Sequence, residues 1–375
     1  MAQELKTKIA VIGAGASGCI CAYHLLKSGL KVTLFDKNLP LRTLLPTGGG
    51  RCNLAHAEFD FKELAKNYPR GEKFLYSVFS RFSTSDTICM FKDLGVKTYI
   101  QPDGRIFPEK DSSKFVQETV LKELRRLGVK FIQQEIKDCS ALFKEYASVV
   151  IAIGGHSGCE IVKPYNIKTV EQKPSLVGLN TKENFKDLSG TVLKNVKIKN
   201  ITGNLLFTHF GISGPVAYTI SSYKAFEKTP YKLSADLYPD LRDLQEKLNA
   251  YPHKELKNIL SEFLPQKVSN YILKDFNPEQ KACLTDGKTR DFILDKIHNF
   301  EITVTGTNKG EETVTAGGID LDEINPKTME VKSVPNLYCI GEFLNIDGLC
   351  GGFNLQNAWS TAYVAAEAII NKTKN

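Results

Sequence analysis

The chain has 375 residues, 42% hydrophobic and 24% charged, which is the balance of an ordinary globular protein with length for about two domains. Its nine cysteines, an odd number without a Cys-x-x-Cys pair or a Cys/His cluster, exclude a disulfide framework and a zinc site and fit a reducing cytoplasm. The net charge of +7 is mild and spread along the chain, so no nucleic-acid partner is expected.

Lys8 to Ile12 reads as a short apolar strand, Gly13 to Gly18 as a glycine-rich turn, and Ala16 to Ser28 as a helix stopped by Gly29. Lys31 to Phe35 is a second strand, with Asp36 at its carboxyl end. The run from Ile9 to Leu26 is nearly uncharged and imitates a signal peptide or a membrane span. Three glycines in six residues make it a poor hydrophobic helix, and a strand, turn and helix fit it better. No other apolar run approaches the roughly 20 residues of a span, so no membrane is expected.

Residues 38–60 are polar and glycine-rich, and 60–95 read as largely helical. A helix over Ser112 to Leu127, a strand over Val129 to Ile132 and a buried strand over Ser148 to Ile153 follow, the last ending in Gly154 and Gly155. Residues 165–235 hold short β-branched runs separated by Gly, Asn and Pro, an antiparallel pattern. Helices are expected over Leu241 to Leu248, Glu255 to Phe263, Val268 to Leu273 and Asp291 to Lys296, and strand again over 300–316. Leu337 to Ile340 is a strand ending in Gly341 and Glu342, and the last helix runs from about Leu355 to Ile370. The basic stretches Lys122 to Lys130 and Lys194 to Lys199 read as solvated faces of a helix and a strand.

Three motifs carry chemistry. Gly13-x-Gly15-x-x-Gly18, between a strand and a helix, brings a backbone and a helix N-terminus up to a pyrophosphate. Asp36, 18 residues beyond Gly18, accepts from the ribose hydroxyls of an adenosine and repels a 2′-phosphate, which suits FAD or NAD and not NADP. Thr47-Gly-Gly-Gly-Arg-Cys-Asn53 reads equally well as a backbone passing close to a flat ligand and as a flexible surface loop. Gly341-Glu342, followed by Asp347-Gly-Leu-Cys-Gly-Gly-Phe-Asn-Leu-Gln356, is a second strand–turn–helix junction, either a flavin-facing helix start or an ordinary connection.

These segments resemble a single family. So do Asp103 to Pro108, Leu206 to Pro215, Thr315 to Ile319 and Glu323 to Glu330, in the same order over nearly the whole chain. It is the bacterial flavoproteins of the aminoacetone-oxidase-like or bile-acid-dehydroxylation type, NAD(P)/FAD-dependent oxidoreductases. The resemblance implies an α/β fold: a Rossmann-like FAD-binding domain of the two-dinucleotide-binding-domain type, interrupted by a β-barrel-like domain with a small helical insert. The expected boundaries are 1–165 with 325–375 for the FAD domain, 166–239 with 300–324 for the β-rich domain, and 240–299 for the helical one. Gly13, Gly15, Ala16, Ser17, Gly18, Asp36 and Lys37 are implied to hold the ADP half, with Ile136 at the adenine and Gly154 and Gly155 closing over it. Gly48, Gly49, Gly50, Arg51, Cys52 and Asn53 are implied to lie along the ribityl chain and ring. Gly341, Glu342, Asp347, Gly348, Gly352, Asn354 and Leu355 are implied to hold the other side.

The expected activity is an FAD-dependent oxidoreductase passing a hydride between a small organic substrate, or nicotinamide, and the flavin. Only one dinucleotide fingerprint is visible, so NAD(P)H is expected as a transient donor. No side chain stands out as general acid or base, and no metal is expected. Two other readings are a flavin-containing RNA-modification or RNA-binding protein and a non-catalytic FAD-binding module. Cys52 and Cys350 read as loop-packing residues, with a redox pair as the alternative. Arg105 either pairs with Asp103 or binds an anion.

Overall fold

A computed structural model describes residues 7–156, 158–239, 244–308, 310 and 314–374. The chain opens with β1 (Lys8–Ile12), α1 (Ala16–Lys27), β2 (Lys31–Asp36), β3 (Ala55–His56), α2 (Phe61–Ala65), α3 (Glu72–Phe79) and α4 (Thr84–Asp93). It continues through β4 (Thr98–Ile100), β5 (Arg105–Pro108), α5 (Ser113–Arg126), β6 (Lys130–Gln133), β7 (Ser148–Ile151), β8 (Thr169–Ser175) and β9 (Leu179–Thr181). Then come β10 (Val192–Ile198), β11 (Ile201–Phe207), β12 (Gly211–Ser213), α6 (Pro215–Tyr223), β13 (Tyr231–Ala235), α7 (Leu244–Ala250), α8 (Leu256–Leu260) and α9 (Gln266–Ile272). The last elements are α10 (Gly287–His298), β14 (Phe300–Thr307), β15 (Val314–Ile319), β16 (Leu337–Cys339) and α11 (Phe353–Lys374). The expected helix start at Leu241 lies outside the described residues, and the helix is seen from Leu244.

The chain divides into two compact units, 1–173 with 314–375, and 174–313. In the first, five strands form a sheet in the order β16-β7-β1-β2-β6, every neighbouring pair parallel. Parallel strands are covered on both faces, so their sequences are nearly continuous apolar runs. Ile9 to Ile12 and Val149 to Ile151 are buried accordingly. The uncharged run from Ile9 to Leu26 is therefore strand, turn and buried helix. Among the described residues no helix is long and apolar enough to cross a membrane. The long helix α11 packs along α1, so the two ends of the chain build one layer.

In the second unit the strands run β10-β11-β12-β9-β14-β13, with antiparallel pairing throughout. Helices α7 to α10 bury Leu256, Ile259, Val268 and Ile297 into the same apolar cluster as Val196, Phe207 and Ile302 of the strands. One shared core explains why 240–299 does not stand as a body of its own. The division also falls inside the expected boundaries, because β8 pairs with β15 and holds residues on both sides of the insertion in the first unit.

Candidate cofactor site

The site is built where the parallel strands end. Gly13 turns the chain after β1 with φ +100°, its N–H donating to the Phe35 carbonyl at 2.7 Å. A Cβ on Gly13 would lie 2.3 Å from the Ala152 carbonyl oxygen, and one on Gly18 would lie 1.9 Å from that of Gly13. Only glycine lets α1 start this close to the strands. Gly15 precedes α1 without a side-chain cap, which leaves the first helical N–H groups, from Ala16 onward, for an anion. Ser17 is buried, and its Oγ would lie 2.5 Å from a Cβ on Gly341, so the first and last glycine motifs adjoin.

Asp36 clamps this turn. One carboxylate oxygen accepts from the Ala14 N–H and the other from the Asn38 N–H, both at 2.7 Å. Each oxygen keeps a further lone-pair site for a ribose hydroxyl. Lys37 is ion-paired with Glu135 at 3.0 Å, and the Gln134 N–H donates to the Asp36 carbonyl at 2.9 Å. Half-buried Ile136 follows directly, so Asp36, Lys37 and Ile136 come together.

In the second motif Gly48, Gly49 and Gly50 all have positive φ, and a Cβ on Gly49 or Gly50 would meet nothing within 4 Å. The backbone there faces open space. The Arg51 guanidinium lies 4.1 Å from the centre of the Phe107 ring, and its Nε donates to the Gly48 carbonyl at 3.4 Å. Cys52 is buried, and burial pushes its thiol up to about 12, with a hydrogen bond to Thr47 pulling the other way. The Asn53 Oδ1 is buried without a hydrogen-bond partner among the described residues. A Cβ on Gly352 would lie 2.9 Å from it and 2.5 Å from the Ala55 carbonyl oxygen, so the second and third motifs also meet.

Gly154 has φ +75° and open space where a Cβ would be, whereas Gly155 packs against Thr315 and Glu342. Burial raises the Glu342 carboxyl above its ordinary range, although it accepts the Thr315 N–H at 2.7 Å. Asp347 is fully buried and pairs through both oxygens with Arg70. The Asn354 side chain accepts from the Gly348 N–H and donates to the Gly348 carbonyl, both at 2.8 Å, and this folds the loop onto the start of α11. Leu355 sits half-buried on that first turn.

All the expected residues thus lie on loops at the carboxyl ends of the strands or on the segments packed against them. Sequence reasoning missed Arg70, Thr315, and the ring of His56, which stacks on Phe353 at 4.7 Å and reaches the Gly351 carbonyl at 3.1 Å. Thr315 lies in a segment that carried the family resemblance; Arg70 had no such signal. Arg105 is paired with Asp103 at 2.7 Å, and Cys52 and Cys350 are both free thiols. A cavity of about 650 Å³ lies at the opposite, amino end of the sheet, beside Lys8, Lys31 and Lys130, and none of the expected residues lines it.

These loops fit a dinucleotide. A Cβ on Gly49, Gly50 or Gly154 would meet nothing within 4 Å, so the backbone there is open to a ligand. Asn53 Oδ1 is buried beside the glycine loops and lacks a hydrogen-bond partner among the described residues, which a ligand hydroxyl or ring N–H would satisfy.

The chain matches the HI0933-like protein Rossmann domain over residues 7–368. It is 30% identical to a ribosomal RNA dihydrouridine synthase of Haemophilus influenzae, covering 96% of this chain and 97% of that one. The Escherichia coli protein of the same name is also 30% identical, with the same coverage. A 3-dehydro-bile acid delta(4,6)-reductase of Clostridium scindens is 27% identical over 96% of this chain and 98% of that one. The cofactor of the chain is FAD. The chain belongs to the HI0933-like family of FAD-binding Rossmann flavoproteins.

Proposed function

We propose that this chain is an FAD-dependent reductase that saturates a carbon–carbon double bond conjugated to a carbonyl, with uridine in ribosomal RNA as its substrate. The observation that carries the reading is the full-length likeness to two ribosomal RNA dihydrouridine synthases. Dihydrouridine is uridine with two hydrogens added across the ring double bond. A delta(4,6)-reductase of 3-dehydro-bile acids acts on the same kind of bond, an alkene in conjugation with an oxo group. The reading departs from the expectation of no nucleic-acid partner, which rested on the spread of charge alone.

The residues divide the work by position. The Gly13 to Gly18 turn and the start of α1 would hold the pyrophosphate, and Asp36 the adenosine ribose. Gly48 to Asn53 and Gly348 to Leu355 would bracket the ribityl chain and ring. Saturation adds a hydride to one carbon and a proton to the other. When bound and reduced by NAD(P)H as transient donor, the flavin would supply the hydride, and solvent the proton. Arg70, through Asp347, would keep the loop after β16 in register with the ring.

The test is to give purified holoprotein NADH or NADPH anaerobically with a ribosomal RNA transcript, then digest the RNA and weigh its nucleosides. The expected result is one uridine position gaining two hydrogens. If the RNA is untouched while a steroid enone is saturated, the bond change stands and RNA is the wrong substrate. If only amines bleach the flavin, the protein is an oxidase and the proposal fails.

A further inference from the structure

We infer that the outward face of the β10–β11 hairpin is a docking surface for the phosphate backbone of RNA, with Lys194, Lys197 and Lys199 as its phosphate contacts. This rests on the RNA reading above and deepens it.

The hairpin sorts its side chains sharply. The ladder between β10 and β11 shifts register between Leu193 and Val196, and Asn195 has φ +56° at that bulge. Leu193, Val196 and Ile198 consequently all reach the core. Lys194 and Lys197 are exposed on the other face, and Lys199 is exposed in the two-residue turn that follows. At about 3.3 Å per residue the backbone from Lys194 to Lys199 spans at most roughly 16 Å. Across the ladder Lys197 faces Thr202, and both Thr202 and Asn204 of β11 are exposed, adding neutral hydrogen-bonding groups beside the charges.

Several lysines of the same unit are ion-paired, although Lys182, Lys186, Lys228 and Lys281 are, like these three, without an ion pair among the described residues. Lys224 pairs with Glu227, Lys232 with Glu301, Lys247 and Lys254 with Glu262, and Lys257 with Glu255 and Glu279. Lys194, Lys197 and Lys199 have no ion pair among the described residues. Two carboxylates of the same unit already accept hydrogen bonds from other groups. Asp236, bridged to Lys197 through the backbone, accepts from the Tyr238 N–H and meets His298 Nδ1 at 3.0 Å. Glu183 accepts from the Thr303 N–H.

Lysines on an outer strand also serve to block edge-to-edge pairing. That need is small here, because Lys197 already exchanges both backbone hydrogen bonds with Asp236, at 2.9 and 2.8 Å. A row of cations without ion pairs, flanked by hydroxyl and amide groups, fits a polyanion: it releases counterions on binding and supplies affinity without choosing bases.

The test uses holoprotein and a ribosomal RNA transcript, with binding measured across a salt series for wild type and for K194Q/K197Q/K199Q. A second variant, K247Q/K254Q, removes lysines that are already paired. The triple variant is expected to bind at least about tenfold more weakly at moderate salt. Its log–log salt slope should be shallower by about 2–3, at roughly 0.7–0.9 per lost phosphate contact. Its flavin content, melting temperature and NAD(P)H-driven reduction of a small enone should match wild type, and K247Q/K254Q should bind like wild type. Wild-type affinity and slope in the triple variant would overturn the surface while leaving the RNA reading intact. If wild type binds no RNA, or prefers anionic lipid vesicles to it, the RNA reading itself is overturned and the surface with it.

Discussion

Burial drives the Cys52 thiol up to about 12, which favours a packing role in the glycine loop over a reactive one. At pH 8 about one Cys52 in ten thousand is then ionised, and only the thiolate attacks. Cys89 and Cys283 are exposed. Iodoacetamide added to native holoprotein at pH 8 should therefore label Cys89 and Cys283 and leave Cys52 unmodified until denaturant is added, as read by peptide mapping. Labelling of Cys52 at the rate of Cys89 would mean that the loop opens. A thiol held protonated is a poor nucleophile, which favours loop packing over a redox pair with Cys350. The glycines around it were legible because a turn needs its glycines within a few residues of each other. The Arg70–Asp347 pair was not, because its partners are 277 residues apart and each is an unremarkable charge until the fold buries both.

Helices α1 and α11 show how an element can be read correctly while its chemistry stays hidden. The apolar spacing and the glycine after α1 gave its bounds to within a residue, whereas His24 inside it gave no sign of its surroundings. The ring of His24 lies edge-on to Tyr23 and Tyr363 at 5.1 Å and to Phe82 at 6.1 Å, and its Nε2 is buried without a hydrogen-bond partner among the described residues. Burial, helped by the charge of Lys27, lowers its pKa to about 4. The sign follows from linkage. The folded state refuses a proton that the unfolded chain takes at about 6.5, so this stability is present above pH 6.5 and is lost as pH falls toward 4. Between pH 7 and pH 5 that loss is about 2 kcal/mol. His24→Phe removes the titration and keeps the aromatic packing. Its unfolding free energy should fall by about 2 kcal/mol less than wild type's over that range, measured by urea denaturation at each pH. Parallel pH profiles for the two proteins would show that His24 is not the acid-sensitive group.

At the scale of the whole molecule, the alternation of patterns along the chain revealed an interrupted fold, but not where the interruption ends. Sequence periodicity marks β8 and β15 as strands without saying that they pair with each other, and that pairing moves both boundaries inward. The parallel sheet has a consequence for folding. β16 arrives only after the insertion, and it completes the sheet beside β7 while α11 covers α1. Residues 174–313 have an apolar core of their own, from Leu179 through Val304, so they should fold alone as a fragment that melts cooperatively and binds no flavin. Joining 1–173 to 314–375 through a short glycine–serine linker should keep both the parallel sheet and the flavin absorbance, since every residue assigned to the cofactor lies in those two segments. A fragment of 1–313 should bind none, because it lacks β16, Glu342, Asp347 and α11. If the joined protein purifies folded by circular dichroism but takes up no FAD, the second unit contributes directly to holding the cofactor. The site as drawn from the first unit would then be incomplete.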